Sequence, residues 1–297
     1  LALQQQVKLT EAYQRFVPPQ LLKNLGKKSI LDVSLGDQVN VEMSILFSDI
    51  RSFTSISEKM TPKENFSFLN SYLNQMSPII RENKGYIDKF MGDGVMALFK
   101  SSANDSIKAA IGMQRYLNQY NSNSYNDKTH KINIGIGINT GEMMLGTLGE
   151  VNRMEGSVIS DAVNLASRLE GLTKIYKVGI IISEETYKKI NEEFFNIRFI
   201  DVVGVKGKEK PVKIFEIFDS DLDQLKRLKI DTLEDFKSAV KDYFQQNFEK
   251  SLKLFLKINT INPDDKVTEI FITRCEKIIN GEWNPDLWDG INRLDQK

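Results

Sequence analysis

The sequence predicts an α+β fold, one mixed sheet with helices packed on it, followed by a small all-helical extension. Three observations carry this. Strand-like and helix-like segments alternate through residues 40–220, the pattern of a layered sheet-and-helix domain. At least two pairs of strand runs are joined by short turns containing glycine, so some neighbours are antiparallel. After Asp219 only helical periodicity remains.

Composition sets the limits. A chain of 297 residues can bury a sizeable core without disulfides. Forty basic and forty acidic side chains cancel, with a pI near 6.9, which argues against a nucleic-acid face and an acidic disordered tail. No apolar run approaches the ~18 residues needed to cross a bilayer. The single cysteine, Cys275, excludes an intrachain disulfide, and the single histidine, His130, excludes His-rich zinc sites and paired catalytic histidines. Any metal must be held by oxygen. The chain opens on Leu1 without a signal-peptide pattern. It is therefore read as a soluble, cytoplasmic piece of a longer protein, with an upstream sensor missing and a membrane anchor on the parent left open.

In chain order, residues 1–25 read as helix interrupted at Pro18-Pro19, so that 1–39 form an input helix and linker. Val41–Phe47 is a buried strand that ends at Ser48-Asp49. Thr61-Pro62-Lys63-Glu64 is a capping box with proline at the first helical position. Phe66, Leu69, Leu73, Met76 and Ile80 mark the inward face, Pro78 kinks the last turns, and Lys84-Gly85 ends the helix. Tyr86–Phe90 and Val95–Phe99 form a hairpin with Asp93 at its tip, and a helix follows at about 103–120.

Isoleucines 132, 134, 136 and 138 alternate with Asn133, Gly135 and Gly137, giving a strand with one bulky face and one small face open to close approach. Thr140-Gly141 is read as the turn of a second hairpin leading into Met143–Leu148. A helix covers about 161–173, strands cover 178–182, 199–203 and 212–218, and a helix is expected over 184–193. In the extension, residues 223–297, Phe236, Val240, Tyr243 and Phe244 make one stripe and Leu252, Phe255 and Leu256 a second. Asn262–Asp265 then stops the chain before a helix at 266–279. The spacing is that of a single tetratricopeptide-like unit. One unit cannot bury its own face, so it is expected to pack on the main domain or on a second subunit.

Several patterns carry no chemistry. Gly135–Gly141 is not a dinucleotide loop, Gly26-Lys27-Lys28-Ser29 is not a phosphate loop, and no Gly-x-Ser-x-Gly elbow exists. His130 reads as exposed. Asp49 and Asp93 are different: if the first strand and the hairpin are sheet neighbours, both carboxylates meet at one edge and can hold two hard cations bridging a triphosphate. Between them the chain turns at Ile50–Thr54, where backbone amides such as those of Phe53 and Thr54 can receive phosphate oxygens. Asn164 and Arg168 are four apart on one helix face, a pair able to hold a ribose oxygen and stabilise a phosphorane.

Phe47-Ser48-Asp49-Ile50-Arg51-Ser52-Phe53-Thr54, Ile87–Asp93, the Ile-Gly-Ile-Gly run and Val163-Asn164 with Arg168 together resemble the class III nucleotidyl cyclase catalytic domain. The resemblance covers residues 40–222. It is strongest to bacterial adenylyl cyclases that read the base with Lys and Thr or Ser. It implies a ferredoxin-like βαββαβ core with extra hairpins, working as a head-to-tail homodimer with two shared active sites. By position it assigns two Mg²⁺ or Mn²⁺ ions to Asp49, Asp93 and the Ile50 carbonyl, and ribose and transition-state contacts to Asn164 and Arg168 of the partner. Terminal phosphates fall to Lys206, with Arg153 a further candidate. Base choice falls to Lys89 and Ser157. Lys89 can donate to adenine N1, whereas guanine needs an acceptor there, so ATP is the expected substrate and cyclic AMP with pyrophosphate the products. Ser157 lacks threonine's rotamer restriction, which allows some leak to GTP. The alternatives are a guanylyl cyclase and a non-catalytic interaction module that uses the helical extension.

Overall fold

The computed structural model describes residues 2–14, 16–123, 131–204, 210–282 and 289–293. Its centre is β1 (Gln38–Ile50), which pairs on one side with β3 (Gly94–Phe99) and on the other with β4 (Ile134–Glu150). With β2 (Tyr86–Met91) beyond β3, the order β2-β3-β1-β4 and the intervening helices α4 (Pro62–Glu82) and α5 (Ala103–Asn123) form a ferredoxin-like βαββαβ core. The sheet continues from β4 through β6 (Ile180–Ser183), β8 (Val212–Ile217), β7 (Ile197–Gly204) and β9 (Asn292–Arg293), while β5 (Arg153–Ile159) pairs with β4 alone. β4–β6 and β7–β9 are parallel and the other pairings antiparallel, so the sheet is mixed.

Strand alternation sorts the core into two layers. β1 sends Leu46 and Ile50 toward α4 and α5, where they meet Met76, Ile80, Ile107 and Ile111. Its Met43, Ile45 and Phe47 point the other way, toward α2 (Pro19–Asn24) and α6 (Asp161–Tyr176). On β4, Ile134, Ile136 and Ile138 join the first layer. The glycines between them admit α6: a Cβ on Gly137 would lie 2.1 Å from the Glu170 amide nitrogen and 2.4 Å from the Ala166 carbonyl oxygen. The helix therefore rests directly on the strand backbone. α4 begins with the expected capping box, Thr61 and Glu64 exchanging hydrogen bonds, and it runs unbroken past Pro78.

Four expectations are corrected. Thr140-Gly141 is not a turn, because β1 is 13 residues long and pairs with β4 without interruption from Gln38↔Gly146 to Ile50↔Ile134. The turn lies between β4 and β5 instead. The helix expected over 184–193 is one turn, α7 (Glu184–Tyr187), followed by a 3-10 turn at Glu192–Phe194, where the Asn191 side chain accepts from the Glu193 amide and ends helical continuity. Phe66 is exposed; the inward line of α4 is Phe68, Tyr72, Met76 and Ile80, with Phe53 stacked on Phe68. Leu256 is likewise exposed, since α10 (Phe248–Ile261) buries Phe248, Ser251, Phe255 and Ile258.

The extension consists of α8 (Asp223–Asp231), α9 (Leu233–Phe244), α10 and α11 (Lys266–Ile279). Its aromatic centre of Phe236, Tyr243, Phe255 and Phe271 is continuous with Leu165, Leu169, Leu172 and Tyr176 of α6. Ion pairs cross the same junction. Buried Arg198 on β7 donates to Glu216 at 2.6 Å and holds Asp265 through both terminal nitrogens at 2.6 and 2.7 Å, and Lys229 of α8 donates to Glu216 and Asp221 at 2.5 Å. At the N-terminus, α1 (Ala2–Gln14) and α2 are separate helices on either side of Pro18.

Candidate active site

The site is built where β1 ends. The β1–β3 register, closing at Ser48↔Val95, and the tight β2–β3 turn bring the hairpin tip beside Asp49. The Ile50 amide donates to Asp93 Oδ2 at 3.1 Å. Burial and the neighbouring Asp49 carboxyl push the Asp93 carboxyl up to about 6. Two carboxylates thus crowd together, with the Ile50 and Asp93 backbone amides and the Lys174 ammonium, 3.5 Å from Asp49 Oδ2, as partial compensation.

Uncompensated negative charge on hard oxygen donors is what a divalent cation such as Mg²⁺ or Mn²⁺ fits. Among the described residues no group of three or more His, Cys, Asp or Glu side chains could hold a metal. Two carboxylates and a carbonyl leave the remaining positions to water and substrate phosphate, the usual habit of Mg²⁺.

After Ile50 the chain turns sharply. Ser52 takes a left-handed conformation, φ 56°, and Phe53 and Thr54 open the five-residue helix α3 (Phe53–Ser57). Arg51 does not reach toward the aspartates' open side. Its guanidinium donates to Thr173 Oγ1 at 2.6 Å and to the Val178 carbonyl at 3.2 Å. Gly135 makes room for this, since a Cβ there would lie 2.3 Å from Thr173 Oγ1 and 2.6 Å from Glu170 Oε1. The buried Glu170 carboxyl is raised to about 7 by desolvation, with Asp49 and Asp93 adding to the shift and Lys174 and Arg51 opposing it. Arg51, Glu170, Thr173 and Lys174 were not legible as site residues. They are ordinary helix and turn residues until α6 is laid along β4.

That placement also fixes Asn164 and Arg168. The Asn139 side chain donates to the Ala162 carbonyl at 3.0 Å, so the first turn of α6 lies over Asn139, whereas Thr173 lies over Gly135, the register partner of Asp49. Four strand residues separate the two levels, roughly 13 Å. Asn164 is exposed and Arg168 half-buried on the same helix face, while the C-terminal end of α6 touches the chain's own Asp49 through Lys174.

A sequence profile described as the adenylate and guanylate cyclase catalytic domain matches residues 37–217. The chain belongs to this cyclase family. The chain is 37% identical over 282 residues to the terminal-differentiation-specific adenylate cyclase of Dictyostelium discoideum, covering 93% of this chain and 13% of that protein. It is 42% identical over 217 residues to an adenylate cyclase of Anabaena cylindrica, covering 71% of this chain and 43% of that one. The chain therefore spans less than half the length of these relatives, and the Dictyostelium match takes in the helical extension as well as the cyclase domain. Among solved structures, the adenylyl cyclase CyaB from P. aeruginosa superimposes with a TM-score of 0.56 at 35% identity, covering 63% of this chain and 98% of that one. The guanylyl cyclase Cya2 gives 0.54 at 33%, covering 60% and 92%.

In this cyclase domain the remaining described candidates stand on β2 and β5. Lys89, half-buried on β2, has its ammonium 3.5 Å from Asp88 Oδ2. Ser157 sits on β5 opposite Gly146. Burial raises the Asp88 carboxyl, and the Glu155 carboxylate adds to the shift, so β2 and β5 lie within electrostatic reach of each other. Arg153 is exposed at the start of β5. Lys206 lies outside the described residues.

Proposed function

We propose that this chain is an adenylyl cyclase converting ATP to 3′,5′-cyclic AMP and pyrophosphate, at two equivalent sites shared across a head-to-tail homodimer. The observation that carries this is the division of labour along α6. Asp49 and Asp93 meet at its C-terminal end, whereas Asn164 in its first turn and Arg168 at its middle share a face turned away from them. One chain thus offers a metal half-site and, elsewhere, a ribose and phosphorane half-site. A second copy unites them.

In the reaction the ribose 3′-oxygen attacks the α-phosphorus in line, the bond to the β-phosphate oxygen breaks, pyrophosphate leaves, and the hydroxyl proton passes to solvent. Bound at Asp49, Asp93 and the Ile50 carbonyl, two Mg²⁺ or Mn²⁺ ions supply a more acidic 3′-hydroxyl and neutralisation of the leaving group. Asn164 of the partner subunit holds the ribose oxygen, so the hydroxyl is presented along the line of attack. Arg168 of the partner subunit directs several fixed donors at the equatorial oxygens as charge develops there. The Phe53 and Thr54 amides receive phosphate oxygens, and Lys206, with Arg153, meets the terminal phosphates. Lys89 donates to adenine N1 and Ser157 accepts from the exocyclic amine.

The N-terminal helices α1 and α2 act on rotation between subunits, because a small rotation separates the two half-sites. No described helix is long and apolar enough to cross a membrane. The test is cyclic nucleotide formation from ATP and from GTP, with Mn²⁺, on one preparation. Cyclic AMP is expected to dominate and to vanish in Asp93→Ala. Preference for GTP would replace this reading with a guanylyl cyclase, and no product from either would leave an interaction module.

A further inference from the structure

Helix α6 has three faces, and each does something different. Ala166, Glu170 and Thr173 rest on the glycines of β4. Asn164 and Arg168 look outward. Leu165, Leu169, Leu172 and Tyr176, spaced four, three and four apart, are buried against the aromatic centre of the helical extension. The apolar surface that a lone tetratricopeptide-like unit would leave open is therefore covered by the helix that carries the proposed transition-state residues.

The contact is locked at one end by a buried polar cluster. Tyr176, the last residue of α6, has no exposed surface, and its hydroxyl donates to Asp201 Oδ2 on β7. Arg274 of α11 donates to the same oxygen at 2.8 Å and reaches the Tyr176 hydroxyl at 3.5 Å. Asn292 of β9 adds donors at 3.2 Å to Tyr176 and 3.3 Å to Asp201, whose other oxygen accepts from the Val202 amide at 2.8 Å. Arg274 is also seated over the Phe271 ring at 5.3 Å, which fixes its approach from α11. Three segments distant in sequence thus converge on the C-terminus of α6. A buried charge pair of this kind tolerates little displacement, because separating its members leaves a charge unpaired in the interior.

We propose that Arg274 is a positioning residue for catalysis: through Asp201 and Tyr176 it fixes the axial position of α6, and so where Arg168 and Asn164 stand in the partner's site. The inference rests on the shared-site cyclase reading. It makes the helical extension a brace for the transition-state helix rather than a docking array for other proteins. A shift of about 1 Å in such a group lowers turnover by up to roughly 100-fold while leaving substrate affinity nearly intact.

Complementation between full-length variants tests it, because the two half-sites come from different chains. Arg274→Met is expected to form dimers and to lose about 10- to 100-fold in kcat, with KM for ATP within about twofold. Tyr176→Phe, which keeps the ring and the Asp201–Arg274 pair, is expected to lose less, about threefold to tenfold in kcat, and it serves if Arg274→Met does not fold. Mixed with Asp93→Ala, either variant should regain more turnover than when mixed with Arg168→Ala: the mixed dimer has one site with an undisturbed α6 from the second chain, its aspartates coming from the chain whose own Lys174 moves with the loosened helix. Mixed with Arg168→Ala, neither should recover. The opposite pattern, recovery with neither partner, or a wild-type kcat in both variants would overturn the proposal. The control mixture of Asp93→Ala with Arg168→Ala separates the levels. If wild type is active and this control stays dead, the shared-site reading has failed, and if wild type makes no cyclic nucleotide, the cyclase reading has failed.

Discussion

The Ile50 amide donates to the Asp93 carboxylate at 3.1 Å, tying the hairpin tip to the end of β1 and setting the two site aspartates side by side. Asp93→Asn keeps an acceptor for that amide and removes the charge. Loss of about 100-fold or more in cyclic AMP formation is expected, together with loss of Mn²⁺ binding followed by electron paramagnetic resonance. The melting temperature of the metal-free protein should not fall, because a like-charge contact has been removed. A variant that bound Mn²⁺ normally would exclude Asp93 as a ligand.

Lys89 lies on β2 with only Asp88 as its charged neighbour in the ion pairs described. Lys89→Glu puts an acceptor where guanine carries its N1–H and amine. The ratio of GTP to ATP turnover should rise at least about tenfold, because a base edge left facing the wrong polar group is strongly disfavoured. An unchanged ratio would remove Lys89 from base selection.

Gly137 is the point of closest approach between α6 and β4. An alanine there sets its Cβ 2.1 Å from the Glu170 amide nitrogen, which is backbone and cannot step aside. Gly137→Ala should cost about 3 kcal/mol or more, a drop in melting temperature of roughly 6–12 °C for a domain of this size. Turnover should fall with it. Calorimetry and the ATP assay on the same sample check both.

Asp265 at the start of α11 is buried, which by itself raises a carboxyl, but Arg198 outweighs this and holds it down at about 2. A carboxylate with a folded value below its unfolded one stabilises the fold above about pH 4 and loses that contribution as pH falls toward 2. The difference is worth roughly 2 kcal/mol. Asp265→Asn should therefore be less stable at pH 7, and its stability should change less between pH 4 and 2. Urea unfolding at a series of pH values measures both; parallel acid limbs in the two proteins would contradict the assignment.

Most strands and long helices were legible because they are set by local rules: the capping box of α4, the alternating isoleucines of β4, the Gly-Asp-Gly turn between β2 and β3. Three of the four misreadings share one cause, the exception being the 184–193 helix, which the Asn191 side chain interrupts locally. Thr140-Gly141 has turn composition, yet β1 supplies a ladder partner for every residue through it, and sheet hydrogen bonding overrides local preference. Phe66 and Leu256 fit a helical stripe but fall outside the arc that the neighbouring layers cover.

By itself the sequence determined the order of elements, the residue types available for chemistry, and the family to which the chain belongs. Only the tertiary structure decided what lies beside what. It set Asp93 on the Ile50 amide, laid α6 on the glycines of β4 so that Lys174 meets Asp49, and put Arg274, 98 positions after Tyr176, at the end of that same helix. Capping, alternation and turns act over a few residues and leave a local pattern. These contacts depend on how two packed surfaces fit, and no local spacing records them.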